Sequence, residues 1–400
     1  MSAVAVAAKG WCPGALRPMP SGDGLIVRVK PFCGALGLDQ ARGLADLADR
    51  LGNRHIDLTR RANLQLRGLS DERLPELHDA LRRLALIDVD AESEATRNVM
   101  VAPLAGLDPA EPFDVRPIAA ALERALTADR GLQALPAKFG LLVDGGGAVS
   151  IAGERADICL AATEKGVAFG LDTPRGTTWL GSVAPERAAE TAIAAMHAFL
   201  AVSPGGRLRT LAEADAGRVR SSVQPFLSSL KTVPRAKGRR LGSLDGAVGI
   251  AAPFGRLEAP QLRRLAALAA DTGATDIRLS PWRTVYIGAR HRAAALLDGA
   301  REAGLIVDDN DAILRIEACP GAPDCRSSSV DTRGDARRLA ALAGERGYRG
   351  SIHVSGCAKR CARSAPSDLL LIGEDGLYRL GQRLVGQQDF PTLFEAATDG

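Results

Sequence analysis

The chain is 400 residues long, which at roughly 100 to 200 residues per domain predicts two to four domains. Apolar residues make up 46% and charged residues 24%, proportions typical of a folded globular protein and not of a disordered or fibrous one. The net charge of +4 is small and the basic residues are interspersed with acidic ones, which argues against a nucleic-acid-binding protein.

The first predicted elements form a β-α-β-β unit. An apolar strand over residues 25–29 is followed by an amphipathic helix over 39–51, in which leucine and alanine recur at three- and four-residue spacing. Two further strands, over 55–59 and 63–67, flank a basic turn. The unit is therefore expected to be a small antiparallel sheet covered by one helix.

A longer α/β stretch comes next. Strands predicted over 140–143 and 149–151 flank a three-glycine turn, and a helix is predicted over roughly 185–200. Residues 203–242 are rich in proline, glycine and serine and contain a basic cluster, so they are expected to form a linker.

The β-α-β-β unit is then repeated. Its second copy comprises a strand over 247–251, a helix over 259–271 and strands over 276–280 and 284–288. Each copy is half of a ferredoxin-like arrangement, so the two copies are expected to pair into one sheet. A second α/β stretch begins near residue 306 and completes the chain.

Four of the seven cysteines lie in this last stretch. They form two close pairs, Cys319-x5-Cys325 and Cys357-x3-Cys361, separated by 31 residues. Four thiolates hold either a zinc ion or an iron-sulfur cluster, and spacings of five and three favour a [4Fe-4S] cluster over a structural zinc. Unligated thiols are the third interpretation. A helix and a strand predicted between the pairs would bring them together at the ends of neighbouring elements.

The other three cysteines, Cys12, Cys33 and Cys159, are solitary and are expected to be inert, although the sequence Trp-Cys-Pro-Gly around Cys12 is unusual. Residues 1–8 lack the basic start and long apolar core of a secretory signal, and no run of about 18 apolar residues predicts a membrane span. A cytoplasmic location without disulfides is therefore expected.

The cysteine pattern on a duplicated chain resembles the sulfite and nitrite reductase hemoprotein family. Residues 58–65, Leu-Thr-Arg-Arg-Ala-Asn-Leu-Gln, are similar to the family's strand-turn segment, in which an arginine, here Arg61, faces the substrate and tetrapyrrole. Arg97-Asn98-Val99 is similar to the family's second arginine motif. Residues 135–139, Leu-Pro-Ala-Lys-Phe, are similar to its lysine motif and contain Lys138.

The resemblance implies an α+β fold of duplicated sulfite/nitrite reductase-like architecture, in which two ferredoxin-like half-domains alternate with two α/β domains. On that pattern residues 1–85 are the first half-domain and 86–220 the tetrapyrrole-binding α/β domain. Residues 221–300 are the second half-domain with its preceding linker, and 301–400 are the α/β domain that carries the cluster.

The chain also departs from the reductases. Where sulfite reductases place a second lysine, two residues after the first, this sequence has Gly140, so polarisation and protonation of a small oxyanion would be weakened. Residues 12–14, 21–24, 56–68 and 317–321 instead resemble a branch of the family that acts in aerobic cobalamin biosynthesis, where the tetrapyrrole is the substrate and not a prosthetic group.

That branch implies a monooxygenase. Precorrin-3A, O2 and a reduced nicotinamide, NADH, would give a product hydroxylated at C20, with the ring A acetate closed as a γ-lactone. The resemblance further implies a mononuclear non-haem iron beside the [4Fe-4S] cluster, no sirohaem, and an electron-donor protein as a further partner. Nucleic acid and membrane are not expected as partners.

Six residues are predicted to bind the carboxylates of the tetrapyrrole substrate, because arginine and lysine pair with carboxylates and the family motifs place them at the pocket. Two belong to the second repeat, where Arg278 falls at the place of Asp57 and Arg283 one residue past the place of Arg61. The six are Arg61, Gln65, Arg97, Lys138, Arg278 and Arg283. The five histidines are scattered, so no iron ligands and no catalytic residue are assigned.

Two alternatives remain at this stage. The first is a sirohaem-dependent reductase of sulfite or nitrite, in which Cys361 would bridge the cluster and the haem iron. The second is a non-catalytic four-cysteine metal module that serves folding or partner binding.

Overall fold

Four five-stranded sheets follow one another along the chain in the computed structural model, which describes residues 13–203, 205–360, 362 and 366–397. The predicted order of half-sheet, α/β unit, half-sheet and α/β unit is present. Residues 1–8, Cys12 and Cys361 lie outside the described residues.

The first half-sheet unit contains the predicted β-α-β-β elements and two additional short strands. The buried face of its first helix carries leucine and alanine at helical spacing, as the sequence pattern predicts. In chain order its elements are β1 (Met19–Ser21), β2 (Gly24–Val29), β3 (Ala35–Gly37), α1 (Leu38–Leu51), β4 (His55–Leu58), β5 (Leu64–Leu69) and α2 (Leu74–Arg83).

The first α/β unit is a sheet in the order β10-β9-β8-β7-β6, whose last three strands are parallel and whose others are antiparallel. Its elements are α3 (Ala91–Thr96), β6 (Val99–Val101), α4 (Arg116–Ala128), β7 (Leu141–Asp144), β8 (Ile158–Thr163), β9 (Gly166–Thr173), β10 (Gly176–Val183), α5 (Ala188–Val202) and α6 (Glu213–Val223).

Two predictions about this unit are wrong. Residues 149–151 are not a strand, because they fold back on Asp144, whose carboxylate accepts bonds from Ser150 Oγ (2.8 Å) and Ile151 N (2.8 Å). The expected linker over 203–242 contains helix α6, which packs on α5. Its buried face has only Val219 and Val223, too short an apolar stripe to stand out from the polar residues around it.

The second half-sheet unit repeats the first. Its elements are β11 (Gly242–Leu244), β12 (Ala247–Ala251), β13 (Arg256–Glu258), α7 (Ala259–Asp271), β14 (Asp276–Leu279), β15 (Thr284–Gly288) and α8 (Ala293–Glu302).

The two half-sheet units exchange a strand. The first sheet runs β1-β2-β5-β4-β13 and the second β11-β12-β15-β14-β3, so each ends on a strand from the other copy. Arg256 of β13 lies opposite Asp57 of β4, and Ala35 of β3 lies opposite Arg278 of β14. Helices α1 and α7 pack on each other over one shared core. The prediction that the copies pair into one sheet is therefore wrong: they form two sheets, each closed by the other copy.

The second α/β unit has a parallel core of β16, β17 and β18 followed by two antiparallel strands. Its elements are β16 (Ile316–Ala318), α9 (Thr332–Glu345), β17 (Ile352–Ser355), β18 (Leu369–Glu374), β19 (Leu377–Leu380) and β20 (Arg383–Val385), with a 3-10 segment over Gln387–Ala397. Within the described part of the chain, no helix has the length and apolar character that crossing a bilayer requires.

Candidate functional site

A cavity of about 240 Å³, here called the first cavity, lies where the first half-sheet meets the first α/β unit. Its lining contains six cationic side chains and one carboxylate, from the end of β2, the β4–β5 turn, the segment before β6, the segment before β7 and helix α4. The charged lining residues are Arg28, Lys30, Arg61, Arg97, Lys138, Arg207 and Glu123. Arg207 is paired with Asp157, whose Oδ2 lies 2.8 Å from Nη2, and the remaining cations give the cavity a positive lining that favours a ligand with carboxylates.

Arg97, predicted to bind substrate, lines the first cavity, where protein groups occupy its guanidinium. It is 2% exposed and makes a bidentate pair with Asp88, at 2.8 Å from Nε to Oδ1 and 2.9 Å from Nη2 to Oδ2. Nη1 lies 3.3 Å from Glu123 Oε1, and Nη2 donates to the carbonyl of Lys30 at 2.8 Å. The guanidinium also stacks over the ring of Phe32. This geometry is that of a residue that positions its neighbours and does not reach a ligand itself.

Lys30 is the most deeply buried amine of the cavity. Only 7% of the residue is exposed, and its Nζ donates to Asn98 Oδ1 at 2.8 Å and to the carbonyl of Glu94 at 2.5 Å. Burial, assisted by the charge of Arg97, lowers the pKa of Lys30 to about 8. Its charge therefore changes near neutral pH, unlike that of an ordinary lysine.

Two predicted residues, Arg61 and Lys138, line the first cavity with exposed side chains. Arg61 Nη1 donates to the carbonyl of Arg155 at 2.8 Å, which anchors one end of the guanidinium. No hydrogen bond or ion pair joins Lys138 to the other described residues. Both side chains are thus positioned to meet an anion.

Gly140 also lines the first cavity, between Lys138 and strand β7. A Cβ built there would have Asn98 O as its nearest neighbour, at 3.8 Å. The surrounding backbone therefore leaves room for a side chain at position 140, so steric exclusion does not explain the glycine there.

The other three predicted substrate residues lie elsewhere. Gln65 is on β5 opposite Arg28 and Asp57, so it shares a sheet face with a cavity residue but is not part of the lining. Arg278 does not line the first cavity: it is 4% exposed and paired with Asp276, and its strand β14 pairs with the exchanged strand β3. Arg283 lines a different cavity.

Sequence reasoning missed Arg28, Lys30, Asn63, Asn98 and Arg207 as lining residues. A signal was present for two of them, because alternation along β2 places Arg28 and Lys30 on one face of the sheet. Arg207 had no such signal, since it follows the helix α5 in a segment expected to be a linker.

The described cysteines of the predicted cluster lie at the carboxyl ends of adjacent parallel strands. Cys319 follows β16, Cys357 comes two residues after β17, and Ala318 pairs with Val354 across the two strands. The backbone N–H of Gly356 donates to Cys319 Sγ at 3.1 Å, which joins the segment after β17 to the end of β16. Cys319 and Cys357 thus lie at neighbouring strand ends, while Cys361, the fourth predicted ligand, lies outside the described residues.

The loop that carries Cys325 is fastened to the first half-sheet. Asp324 Oδ2 accepts from Arg256 Nη1 at 2.6 Å, and Arg256 Nε donates to Asp57 at 2.8 Å. Gly22 approaches the loop so closely that a Cβ there would lie 3.3 Å from the Cα of Cys325. The exchanged strand β13 therefore links the sheet of the first cavity to the cysteine loop.

Two other cysteines behave as protonated thiols. Burial, with the neighbouring carboxylate of Glu123, raises the pKa of Cys33 to about 12. Burial raises the pKa of Cys159 to about 11. A thiol so far from ionisation is a poor metal ligand, which agrees with the inert role predicted for both.

Within residues 13–203, 205–360, 362 and 366–397, no three His, Cys, Asp or Glu side chains are arranged to hold a metal ion. The mononuclear iron implied by the resemblance therefore has no candidate ligand set in the part of the chain that is described. We derive no chemistry through it.

Comparison with known proteins matches the ferredoxin-like units to the nitrite/sulfite reductase ferredoxin-like half domain, over residues 17–84 and 243–293. Residues 92–210 match the nitrite and sulphite reductase 4Fe-4S domain. Fold, cavity and matches together show that the chain belongs to the nitrite and sulfite reductase family. Its similarity extends over almost the whole length of the chain to a precorrin-3B synthase from Sinorhizobium sp, with 34% identity over 94% of this chain and 83% of the relative.

More distant relatives are reductases. A ferredoxin-nitrite reductase of Synechococcus elongatus is 27% identical over 89% of this chain and 77% of its own. The solved structure of the Mycobacterium tuberculosis NirA protein shares the fold, with a TM-score of 0.71 and 20% identity over 92% of this chain and 79% of its own. These findings confirm the predicted α+β architecture and the predicted resemblance. The 4Fe-4S domain match supports an iron-sulfur cluster, while its range does not include the four predicted ligand cysteines.

Proposed function

We propose that the protein is a precorrin-3B synthase, a monooxygenase that acts on precorrin-3A. One oxygen atom of O2 would enter the product at C20 and the other would leave as water, with two electrons supplied by NADH and the ring A acetate closing as a γ-lactone. The observation that carries the proposal is the cationic lining of the first cavity, where Arg28, Lys30, Arg61 and Lys138 lie beside the internally paired Arg97 and Arg207, because a macrocycle that bears many carboxylates needs such a lining.

In this proposal the cavity residues divide into two groups. Arg28, Arg61 and Lys138 bind substrate carboxylates and fix the orientation of the macrocycle. Lys30 holds a proton at its Nζ beside them, and its low pKa makes it the cavity group most easily deprotonated. Arg97 acts through its bonds to Lys30 and Glu123, which fix the end of β2 against helix α4.

Cys319, Cys325, Cys357 and Cys361 are proposed to hold the [4Fe-4S] cluster. When bound there, such a cluster supplies single electrons to a neighbouring redox site. The protein's contribution is the converging ends of β16 and β17 and the N–H of Gly356 at Cys319 Sγ.

A sirohaem-dependent reductase of sulfite or nitrite is the second candidate, favoured by the cation-rich cavity and by the distant reductase relatives. Gly140 argues against it, because the cavity then has one lysine fewer to polarise and protonate a small oxyanion. Sirohaem is accordingly not expected in the purified protein.

The test is aerobic turnover of precorrin-3A by the purified holoprotein with oxygen-18-labelled O2 and mass analysis of the product. We expect a product that contains one labelled oxygen atom. A protein that contains stoichiometric sirohaem and reduces sulfite or nitrite, without oxygenating precorrin-3A, would establish the second candidate instead.

A further inference from the structure

A second cavity, of about 210 Å³, lies against the second half-sheet, with Arg60 and Glu154 contributed by the first half of the chain, and is separate from the first cavity. It has an apolar wall and several charged side chains. Its principal lining residues are Arg60, Glu154, Arg239, Phe254, Trp282, Arg283, Leu314 and Glu317.

The internal repeat relates this cavity to the first. In the β4–β5 turn Thr59 N donates to Asn63 O at 2.9 Å, and in the β14–β15 turn Ser280 N donates to Thr284 O at 3.1 Å. Ala62 and Arg283 occupy the same place in these turns, with φ of 52° and 58°. The residue before each is therefore also equivalent.

At the equivalent positions the two cavities differ in charge. Arg61 of the first corresponds to Trp282 of the second, and Lys30 corresponds to Ala251, since Cys33 and Phe254 share the same turn with φ of 52° and 55°. Where the first cavity has two cations, the second has the indole of Trp282 and the methyl group of Ala251. At these two positions the second cavity therefore offers an apolar surface where the first offers cations.

Most charged groups of the second cavity already have partners. Arg60 is paired with Glu317, and the indole N–H of Trp282 donates to Glu154 Oε1 at 2.8 Å. Arg239 Nε lies 3.4 Å from a carboxylate oxygen of Asp309, outside the lining. The bond to Glu154 fixes the orientation of the indole ring against the cavity.

Arg283 is the exception. It is only partly exposed, and burial together with the charge of Arg60 lowers its pKa against the attraction of Glu317 and Asp57. No hydrogen bond or ion pair within 4 Å joins it to another of the described residues. Its backbone is left-handed, with φ of 58°, a conformation that is strained for a non-glycine residue. Gly255, itself at φ +75°, leaves room for its stem, because a Cβ there would lie 2.3 Å from Arg283 Cδ. A strained, partly buried and unpaired guanidinium indicates an anionic ligand.

We propose that the second cavity binds a flat organic ring that carries a phosphate or carboxylate group. The ring packs against the indole of Trp282 and the apolar wall at Phe254 and Leu314, and Arg283 receives the anionic group. Two sources have this chemistry, a nicotinamide dinucleotide and a carboxylated tetrapyrrole. The site does not depend on the function proposed for the first cavity, because binding is measured without turnover.

The test is isothermal titration calorimetry of the purified holoprotein with NAD+ in one arm and uroporphyrin in the other. We expect one of the two probes to bind, and we expect Arg283→Gln to lower its affinity at least about tenfold, because the variant loses a charge-assisted contact. If uroporphyrin is the ligand, two equivalents should bind to the wild type. Arg61→Ala should lose the one in the first cavity and Arg283→Gln the one in the second. Binding beside Trp282 should also quench tryptophan fluorescence, and Trp282→Phe should remove that quenching.

Arg290→Gln is the matched control, since Arg290 is an exposed arginine in the loop that follows β15 and does not line the second cavity. Arg283→Gly is the companion variant: glycine tolerates the left-handed backbone, so the fold is retained while the guanidinium is removed. The proposal is overturned if neither probe binds, or if Arg283→Gln and Arg283→Gly bind the probe with the same affinity as the control Arg290→Gln and the wild type.

Discussion

Lys30 gives the first cavity a charge that depends on pH near neutrality. Its pKa of about 8 in the folded protein, against 10.5 for an ordinary lysine, means that the cavity loses one positive charge as pH rises through 8. We expect the affinity for a polycarboxylated tetrapyrrole to fall over that interval. Titration with precorrin-3A from pH 6.5 to 9.5, on the order of 1.5 units either side of the transition, measures it.

The same shift has a consequence for stability with the opposite sign. Between about pH 8 and 10.5 the unfolded chain still binds the proton that folded Lys30 has lost, so this group makes the free energy of unfolding rise with pH. Lys30→Met has no such proton. A step in affinity near pH 8 that persists in Lys30→Met would show that another group is responsible.

Arg97 and Arg61 line one cavity but should respond differently to truncation. Arg97→Ala leaves the buried carboxylates of Asp88 and Glu123 without their partner, so we expect the free energy of unfolding to fall by about 3 to 5 kcal/mol. Arg61→Ala removes an exposed side chain and should cost under about 1 kcal/mol, while it weakens substrate binding.

Denaturant unfolding of both variants, followed by substrate titration of the folded fraction, checks this contrast. Arg97→Lys keeps the charge but not the bidentate geometry, so its stability should lie between those of the wild type and Arg97→Ala. Equal stability losses in Arg61→Ala and Arg97→Ala would contradict the division of roles.

At the residue scale, the sequence motifs located Arg61, Arg97 and Lys138 at the cavity but could not show how each is engaged. The carboxylates that occupy Arg97 lie 9 and 26 residues away along the chain, and nothing in a local motif reveals them. Arg278 lies away from the first cavity, paired with Asp276 on a strand whose neighbour β3 comes from the other copy, an arrangement that a local motif does not reveal.

At the scale of elements, the segment before β7 ends on a position with unused space. Because a Cβ at Gly140 would meet Asn98 O only at 3.8 Å, Gly140→Lys should fold with a change in unfolding free energy of under about 1 kcal/mol. Its amine would enter the first cavity and occupy volume that the substrate needs.

We therefore expect Gly140→Lys to lower the affinity for precorrin-3A while a small anion such as sulfite binds more tightly. Melting curves and parallel titrations with the two ligands measure both effects. Gly140→Ala is the control, since it adds a methyl group without a charge. Unchanged precorrin-3A affinity in Gly140→Lys would mean that the substrate does not reach this segment.

The loops after β16 and β17 are expected to act together as one ligand set. Replacement of Cys319, Cys325, Cys357 or Cys361 by serine should each abolish the broad brown absorption of the cluster and the activity, because each removes one of four thiolates. Cys33→Ser and Cys159→Ser are the controls, since both thiols stay protonated in the fold. Iron and sulfide analysis should give full content in the controls; full content in three of the four cluster variants would disprove the assignment.

At the scale of the whole molecule, the alternation of half-sheets and α/β units could be predicted, because the repeat preserves apolar periodicity in both copies. Helix α7 and strand β15, for example, were predicted at the residues where they occur. The exchanged strands β3 and β13 could not be predicted, since three-residue strands carry too little pattern and their partners lie in the other copy. The linker prediction failed at α6 for a related reason, a buried face of only two valines.

Because β3 and β13 are exchanged, each half of the polypeptide supplies the edge strand of the other half's sheet. A chain cut between α6 and β11 would yield fragments that each present an open edge, at β4 in one and at β14 in the other, together with half of the shared core. Neither fragment should be soluble by itself, whereas co-expressed fragments should dock by strand complementation and co-purify. The backbone can thus be cut here, but neither fragment is expected to fold without the other. A protein split at this place would therefore report the association of its two fragments.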